Sequence, residues 1–278
     1  MEPYWEQIKQ IVRESDIVLE ILDARSIELS RNEQLEKIIK DYKRPRVFVV
    51  NKIDLISKEE IQKNIALLKL NVEDEEVYTT SKNKKTIKNL LGRIKKIFQI
   101  HGKRTEFFKQ PILAKPYREA RGDIIIGVVG YPNVGKSSII NALAFKKKAK
   151  VSSKAGTTHG IHWISAGNNI KLIDTPGVIP LEYVDESKLA FIASRNPEKL
   201  KDPEVSAAKV IEKFIRENKI NVLEEFYKIK IEEKENSYAM MEEIAKKKGL
   251  IRRGAEADTM RFAINILMDW QRGKLNIR

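Results

Sequence analysis

Cysteine is absent from the 278 residues of this chain, and so are long apolar runs. Without cysteine the protein has no disulfide, no thiolate zinc site and no cysteine nucleophile, which suits a reducing compartment. The apolar run at residues 124–130 is far shorter than the roughly 20 residues needed to cross a bilayer. We therefore expect a cytoplasmic protein without a membrane partner. The length allows one large domain, or one medium domain plus a small one, and we expect two.

Acidic residues are fewer than basic ones, with 39 Asp and Glu against 53 Lys and Arg and a net charge of +14. The excess is concentrated, because residues 82–154 contain 19 basic and three acidic residues. That segment carries +16, so the remainder of the chain sums to −2. A charged run can be only a solvated face, but one so uneven is more typical of a surface that contacts nucleic acid.

Short β-rich runs alternate with longer amphipathic stretches as far as residue 174. The predicted strands are 16–22, 46–51, 76–80, 124–130, 162–166 and 170–174. This alternation predicts an α/β domain built on a mostly parallel six-stranded sheet. Only three residues, 167–169, separate the last two strands, so these form a hairpin and one edge strand runs antiparallel.

After about residue 180 the strand pattern ends and helical patterns follow. Asp202 and Pro203 predict a helix start, and Gly249 and Gly273 predict helix ends. In the last helix a core-packing apolar face recurs at helical spacing, at Met260, Ala263, Ile264, Leu267 and Met268. We divide the chain into a domain at residues 1–180, with a basic connector at 99–123, and an α-helical domain at 181–278.

A phosphate-binding motif lies between the fourth predicted strand and a helix. Residues 130–137 read GYPNVGKS and fit G-x-x-x-x-G-K-[ST] in the context that this motif requires. Gly130 and Gly135 let backbone N–H groups turn toward phosphate oxygens at a helix N-terminus. Lys136 brings a positive charge to the β- and γ-phosphates, and the Ser137 hydroxyl can bind Mg²⁺. Further predicted contacts in this loop are Asn133, Val134 and Ser138.

A second phosphate-sensing element follows the predicted hairpin at residues 174–177, which read DTPG. The Asp174 carboxylate can hold Mg²⁺ through water, and the Gly177 N–H can contact the γ-phosphate. A threonine hydroxyl from the preceding loop can complete the Mg²⁺ shell, and we favour Thr158 over Thr157. Alone this motif is weak, because D-x-x-G occurs in ordinary turns and either threonine can be a solvated loop residue.

The motif that selects the base ends the second predicted strand, where residues 51–54 read NKID. Asp54 can accept hydrogen bonds from the N1–H and the exocyclic amine of guanine, whereas adenine presents an acceptor there. Asn51 can contact the opposite edge of the base, and the Lys52 stem can cover the ring. A loop that supports the base is predicted after the third strand, at Thr80, Ser81 and Lys82. The sequence therefore predicts a preference for GTP over ATP.

The order of these motifs is rotated relative to an ordinary GTPase, because the base motif precedes the phosphate loop. The site survives such a rotation if the ancestral ends were joined, and the basic connector lies where that join would be. In this order the chain resembles the circularly permuted GTPases of the YlqF/YawG family. Residues 16–25 read DIVLEILDAR and resemble the opening strand of that family with its D-A-R signature. Residues 243–249 and 269–275 resemble its C-terminal helical domain.

The resemblance implies a circularly permuted P-loop GTPase fold with a C-terminal helical domain that binds ribosomal RNA. It implies GTP and GDP as ligands together with Mg²⁺, hydrolysis of GTP to GDP, and a role in assembly of the large ribosomal subunit. We expect RNA affinity to change with the nucleotide state through the segment after Gly177. We also expect a monomer that binds no DNA.

Catalysis is the least complete part of the implied site. Lys136, Thr158 and Gly177 are the residues expected to act on the transferred phosphoryl group, and the resemblance assigns Asn133 to a potassium ion that stimulates hydrolysis. Val178 stands where many GTPases have a water-orienting glutamine, and an apolar side chain cannot polarise water. His159 is a candidate for that task, or an ordinary loop histidine.

Two other functions fit the same motifs. In the first, the chain is an RNA-binding scaffold that holds GTP as a structural ligand without turning it over. In the second, it is a permuted GTPase that acts on the small ribosomal subunit. The absence of cysteine makes the second less favoured, since such families often carry a cysteine-rich zinc element.

Overall fold

A six-stranded sheet organises the chain as far as residue 174. The computed structural model describes residues 2–71, 76–79, 84–101, 124–144, 162–166, 170–174 and 196–276. The strands are β1 (Ile17–Asp23), β2 (Arg46–Asn51), β3 (Glu76–Thr79), β4 (Ile124–Val129), β5 (His162–Ser165) and β6 (Ile170–Asp174). They lie in the order β3-β2-β1-β4-β6-β5, so β1 and β4 form the centre.

The pairing of the strands confirms the predicted sheet. Neighbouring strands run parallel from β3 to β6, and β5 pairs with β6 in the antiparallel direction. All six predicted strands are confirmed, and so is the hairpin at the edge. Every residue of β1 and β4 is buried, as expected for central parallel strands that are covered on both faces.

Helices cover both faces of the sheet. They are α1 (Glu2–Glu14), α2 (Ile27–Ser30), α3 (Glu33–Asp41), α4 (Lys58–Asn71), α5 (Lys84–His101) and α6 (Lys136–Leu143), with 3-10 turns at Ala24–Ser26 and Ile53–Leu55. Because side chains alternate along a strand, Leu19 and Ile21 of β1 pack in one cluster with α5 and α6. Val18 packs on the other face with α1 and α3.

Four described helices follow a 3-10 turn at Pro197–Lys199 and share a core of their own. They are α7 (Pro203–Arg216), α8 (Ile220–Tyr227), α9 (Ser237–Lys247) and α10 (Thr259–Gln271). Pro203 begins α7, and Gly249 and Gly273 follow α9 and α10 with positive φ, which confirms the predicted helix start and ends. The boundary between residues 180 and 181 lies outside the described residues, so the division into two domains stays a prediction.

The buried face of α10 differs from the predicted apolar stripe. The fully buried residues are Phe262, Ala263, Ile266, Leu267 and Trp270, whereas Met260, Ile264 and Met268 are only half-buried. The helix is apolar around much of its circumference, so spacing alone did not fix the face. Packing against α7 decides which face is buried, because the rings of Phe214 of α7 and Trp270 of α10 meet edge to face, with 6.0 Å between their centroids.

Candidate guanine nucleotide site

In a parallel sheet the carboxyl ends of the strands lie at one edge. Each predicted motif begins at the last residue of a strand or directly after it. β1 pairs with β2 so that Asp23 lies opposite Asn51, and β4 pairs with β6 so that Val128 lies opposite Asp174. The phosphate loop begins at Gly130, immediately after β4. Ligands of open α/β sheets bind outside this edge. Motifs that are far apart in sequence therefore surround one location.

Glycine is required at both ends of the phosphate loop. Gly130 has a φ of +137° and Gly135 a φ of +107°, conformations that L side chains rarely adopt. A Cβ on Gly130 would lie 2.6 Å from the carbonyl oxygen of Ile21, and one on Gly135 would lie 2.1 Å from Nδ2 of Asn51. The loop therefore runs in close contact with β1 and the base motif, and α6 begins directly after it at Lys136.

The Lys136 side chain is folded back onto the phosphate loop. Its Nζ donates hydrogen bonds to the carbonyl oxygens of Gly130 and Tyr131, both at 2.8 Å. Burial lowers the pKa of Lys136 from its usual 10.5 to about 8, although the negative charge of Asp174 opposes this shift. The ammonium group is thus bound to neutral acceptors, and phosphate oxygens would offer it charged and stronger ones.

Oxygen donors suited to Mg²⁺ lie beside this lysine. Asp174 is buried at the end of β6, close enough for its charge to act on the pKa of Lys136. Ser137 is half-buried in the first turn of α6, and Ser138 is exposed. Mg²⁺ prefers oxygen ligands and combines one or two protein groups with water and phosphate oxygens. Ser137 and Asp174 therefore fit this ion chemically.

A side-chain hydrogen bond joins the predicted base motif to the predicted phosphate loop. Asn51 ends β2, and its Nδ2 donates to the carbonyl oxygen of Val134 at 2.9 Å, across 83 positions of sequence. Beyond Asn51 the chain turns sharply, because Lys52 has a φ of +64°. Asp54 follows, half-buried in the 3-10 turn Ile53–Leu55. The base-selecting and phosphate-binding motifs are thus brought into direct contact.

An ion-pair cluster joins Lys52 of the base motif to the buried side chains of Asp23 and Arg25. Lys52 Nζ donates to Oδ2 of Asp23 at 2.8 Å, and Arg25 Nη2 donates to the same oxygen at 2.8 Å. Burial alone would raise the pKa of Asp23, but the charges and hydrogen bonds of Arg25 and Lys52 bring it below its ordinary value. Burial lowers the pKa of Lys52, and Asp23 opposes that shift.

The sequence signal for this cluster is the charged D-A-R signature directly after an apolar strand. From the sequence this signature can be recognised only by its resemblance to a family motif, which predicts no role for Asp23 or Arg25. A charge that follows a buried strand needs a partner, because an unpaired buried charge is strongly unfavourable. That rule predicts a partner for Asp23 but does not predict that Lys52 of the base motif is one.

Comparison with known proteins agrees with these motifs. Residues 125–247 match the family described as 50S ribosome-binding GTPase. The chain is 35% identical to the GTP-binding protein MJ1464 of Methanocaldococcus jannaschii, over 97% of this chain and 65% of that protein. It is 33% identical to ribosome biogenesis GTPase A of Priestia megaterium, over 65% of this chain and 59% of that protein.

A solved structure shares the fold over nearly the whole chain. The crystal structure of GNP-bound YlqF from T. maritima matches with a TM-score of 0.59 and 21% identity, over 99% of this chain and 95% of that one. The chain shares the fold of this GTP-binding protein. The permuted P-loop GTPase fold expected from the sequence is thereby confirmed. The chain spans less than two thirds of the length of MJ1464 and of the Priestia relative.

Part of the predicted site lies outside the described residues. That part comprises Thr80, Ser81 and Lys82 of the base-supporting loop, Thr157, Thr158 and His159, and Gly177 with Val178. The predicted roles of these residues stay predictions. Of the basic connector at 99–123, the structure describes only the last three residues of α5.

One cavity lies among the C-terminal helices and not at the predicted phosphate loop. Its volume is about 220 Å³, and its lining consists of Tyr227, Lys248, Leu250, Phe262, Asn265, Met268, Asp269 and Arg272. It shares no residue with the predicted nucleotide site, and we assign it no ligand. Among the described helices, none combines the length and apolar character needed to cross a membrane.

Proposed function

We propose that this chain binds and hydrolyses GTP and takes part in the assembly of the large ribosomal subunit. The observation that carries the proposal is the 2.9 Å hydrogen bond from Asn51 to Val134, because it joins a guanine-selecting motif to a loop suited to phosphates. The ribosomal role is supported by the match of residues 125–247 to 50S ribosome-binding GTPases.

The proposed phosphate contacts follow from the conformation of the loop. Lys136 transfers its hydrogen bonds from the carbonyl oxygens of Gly130 and Tyr131 to the β- and γ-phosphates. This exchange is favourable because charged acceptors replace neutral ones. The remaining phosphate oxygens are surrounded by backbone N–H groups of the loop and of the first turn of α6. These belong to Asn133, Val134, Gly135, Ser137 and Ser138.

In the proposed complex the base lies against residues 51–54. Asp54 accepts from guanine, the Lys52 stem covers the ring, and Asn51 keeps the motif against the phosphate loop. The loop of Thr80, Ser81 and Lys82 is assigned to support the base from its other side. The carboxylate makes guanine the preferred base, because adenine would leave it facing an acceptor, at a cost of about 1–3 kcal/mol.

Mg²⁺ and the catalytic groups complete the proposal. Mg²⁺, when bound, would neutralise charge on the phosphates. Ser137 and Thr158 would hold it directly and Asp174 through water, while the Gly177 N–H would contact the γ-phosphate. Lys136, Thr158 and Gly177 then stabilise charge on the transferred group. Val178 is apolar, so the group that orients the attacking water is a different one.

Asp54→Asn tests the choice of base. The new side chain has one acceptor oxygen in place of two, so it can no longer accept from both N1–H and the exocyclic amine of guanine. Its NH₂ group can donate to the C2 carbonyl of xanthine, so preference should move from GDP toward xanthosine diphosphate. Calorimetric titration with the two nucleotides measures the ratio of dissociation constants. Unaltered guanine preference in this variant would refute the assignment of Asp54.

Potassium stimulation is proposed through Asn133, which has a φ of +60° in the phosphate loop. The test compares GTP hydrolysis in KCl and in NaCl at equal ionic strength, with a faster rate expected in KCl. Asn133→Gly removes the side chain while tolerating the positive φ, and it should abolish the difference between the salts. Equal rates in the unmutated chain would remove potassium from the proposal.

Co-sedimentation with separated large and small ribosomal subunits tests the proposed partner. We expect binding to the large subunit, stronger with a GTP analogue than with GDP, and GTP hydrolysis that increases when that subunit is present. Nucleotide binding without stimulated hydrolysis would instead favour the RNA-binding scaffold. Binding to the small subunit alone would reject the large-subunit role. A cytoplasmic location and a monomeric state stay predictions.

A further inference from the structure

A chain of polar contacts runs from half-buried Lys52 of the base motif, through buried Asp23 and Arg25, to the end of α10. Asp23 is 1% exposed and accepts from Lys52 Nζ at 2.8 Å, Arg25 Nη2 at 2.8 Å and Arg25 Nε at 3.0 Å. The remaining nitrogen of Arg25, Nη1, donates to the main-chain carbonyl oxygen of Trp270. One guanidinium therefore connects residues that lie 245 positions apart.

The far end of this chain is the last turn of α10. The Arg25 guanidinium carbon lies 4.5 Å from the centroid of the Trp270 ring, and both residues are buried. Carbonyl groups in the last turn lack part of their helical hydrogen bonds, and the helix dipole favours a cation there. Arginine suits the position because its planar fork can bond a carboxylate and a carbonyl at the same time.

A second contact joins the same two regions. Gly273 follows α10, and a Cβ at that position would lie 3.1 Å from Cδ1 of Leu55. Leu55 closes the 3-10 turn that contains Asp54. The turn that carries the base-selecting carboxylate therefore packs against the residues after α10, and Lys52 at its start is bound to Asp23.

We propose that Asp23 and Arg25 are positioning residues of the guanine site, and that through them the end of α10 senses whether the base is bound. Movement of Lys52 away from Asp23 would leave a buried carboxylate with one partner fewer. A base held under the Lys52 stem therefore stabilises the chain of contacts as far as Trp270. Coupling is reciprocal, so loosening the Trp270 end weakens guanine nucleotide binding by the same factor. The inference rests on the proposed nucleotide site.

Arg25→Lys tests the link. Lysine keeps a positive charge beside Asp23, but it lacks the planar fork that reaches the Trp270 carbonyl oxygen as well. With Trp5→Phe and Trp163→Phe as background, Trp270 is the remaining tryptophan, and its fluorescence reports on the end of α10. We expect GDP to change this fluorescence. Arg25→Lys should abolish the change at saturating GDP and raise the GDP dissociation constant about tenfold.

The buried ion pair between Glu60 and Lys213 provides a matched control. It joins α4 to α7 at 2.8 Å, so it also links the base-motif side to the C-terminal helices, but it is not part of the Asp23–Arg25–Trp270 chain. Glu60→Gln should lower thermal stability and leave GDP affinity and the Trp270 response unchanged. An equal loss in Glu60→Gln and Arg25→Lys would overturn the proposal, because any contact between the two regions would then suffice.

Hydrogen exchange on the unmutated chain keeps the test valid if Arg25→Lys does not fold. Saturating GDP should slow amide exchange in residues 268–276 more than in α9 (Ser237–Lys247). GDP binding without this protection, or without a Trp270 response, would overturn the inference and leave the proposed function standing. Absence of GDP binding by the unmutated chain would instead remove the proposed function itself.

Discussion

At the scale of single residues, the contact between Gly135 and Asn51 sets how closely the phosphate loop and the base motif approach. A Cβ on Gly135 would lie 2.1 Å from Nδ2 of Asn51, at a φ of +107°. Gly135→Ala therefore combines strain with a clash, and we expect it to lower the free energy of unfolding by about 3 kcal/mol. In an Asn51→Ala background the clash is gone, and the same change should cost only about 1 kcal/mol.

Gly130 supplies the control for this pair, because its nearest neighbour is the backbone carbonyl oxygen of Ile21, at 2.6 Å. Asn51→Ala cannot relieve that contact, so Gly130→Ala should cost the same in both backgrounds. Urea unfolding of the single and double variants measures the coupling. Equal costs of Gly135→Ala with and without Asn51 would contradict the contact.

The buried position of Lys136 predicts that nucleotide binding depends on pH. In the free protein its pKa is lowered to about 8, so about half of the molecules carry a neutral lysine at pH 8. Phosphate oxygens favour the charged form and raise this pKa, so GDP binding should take up about half a proton at pH 8 and more at pH 9. Affinity should therefore fall as the pH rises above 8.

Calorimetric titration at pH 8, in two buffers that differ in their heat of ionisation, measures this proton uptake. At pH 6.5 Lys136 is already charged in the free protein and contributes no uptake, which provides the baseline. Identical heats in the two buffers at pH 8 would show that Lys136 does not change its protonation on binding.

The places of the predicted phosphate loop and base motif, after β4 and at the end of β2, could be predicted from the sequence. Each motif depends on the chemistry of adjacent residues. The partners of buried charges could not be predicted. Glu20 lies inside β1 and accepts a hydrogen bond from Arg46 at 3.0 Å, and burial raises its pKa to about 8 despite this arginine. The strand pattern gives no sign of such a pair, because sheet register and not sequence distance decides which residues meet.

At the scale of elements, strands were predicted better than helix faces. Each strand is a short apolar run whose neighbours in the sheet follow from the alternation of strands and helices. The apolar surface of α10 is wider than one face, so the buried side depends on neighbours such as Phe214, whose contact with Trp270 no pattern within α10 encodes. Local periodicity predicts that a helix forms, and tertiary packing decides how it rotates.

Helix caps also depend on local geometry that the sequence pattern does not reveal, and they allow a direct test. The Asn236 side chain accepts from the backbone N–H groups of Tyr238 and Ala239, at 2.9 and 3.1 Å, before α9. Asp202 precedes Pro203 as predicted, but its side chain makes no capping hydrogen bond. Asn236→Ala should lower the free energy of unfolding by about 1 kcal/mol, and Asp202→Ala should leave it nearly unchanged. Denaturant unfolding measures both, and equal losses would contradict the difference in capping.

At the scale of the whole molecule, the motifs of the proposed nucleotide site meet despite their rotated order, because sheet neighbours and not chain neighbours bring them together. β4 carries the phosphate loop and lies between β1 and β6, while Asn51 of β2 reaches across to Val134. The rotated order does change which segment precedes the C-terminal helices in the chain. The segment after Gly177 leads there along the chain, and Arg25 contacts Trp270 through space.

Charge distribution gives the last prediction, which concerns the partner. The basic excess lies at residues 82–154, whereas residues 201–278 carry 17 basic and 14 acidic residues. We therefore expect the basic connector to contact RNA phosphates in addition to the C-terminal helices. Charge reversal at Lys103, Arg104 and Lys109 should weaken large-subunit binding and reduce the slope of log affinity against log salt by about 2, since each lost phosphate contact removes roughly 0.7–0.9.

The matched control for this prediction reverses three exposed lysines in and just after α3, namely Lys37, Lys40 and Lys43. This triple variant makes the same change in net charge outside the basic segment. If long-range attraction alone mattered, both variants would lose affinity equally. If the connector touches RNA, only the first should lower the salt slope, and sedimentation over a series of KCl concentrations measures both slopes. An unchanged slope in the connector variant would reject direct contact with RNA.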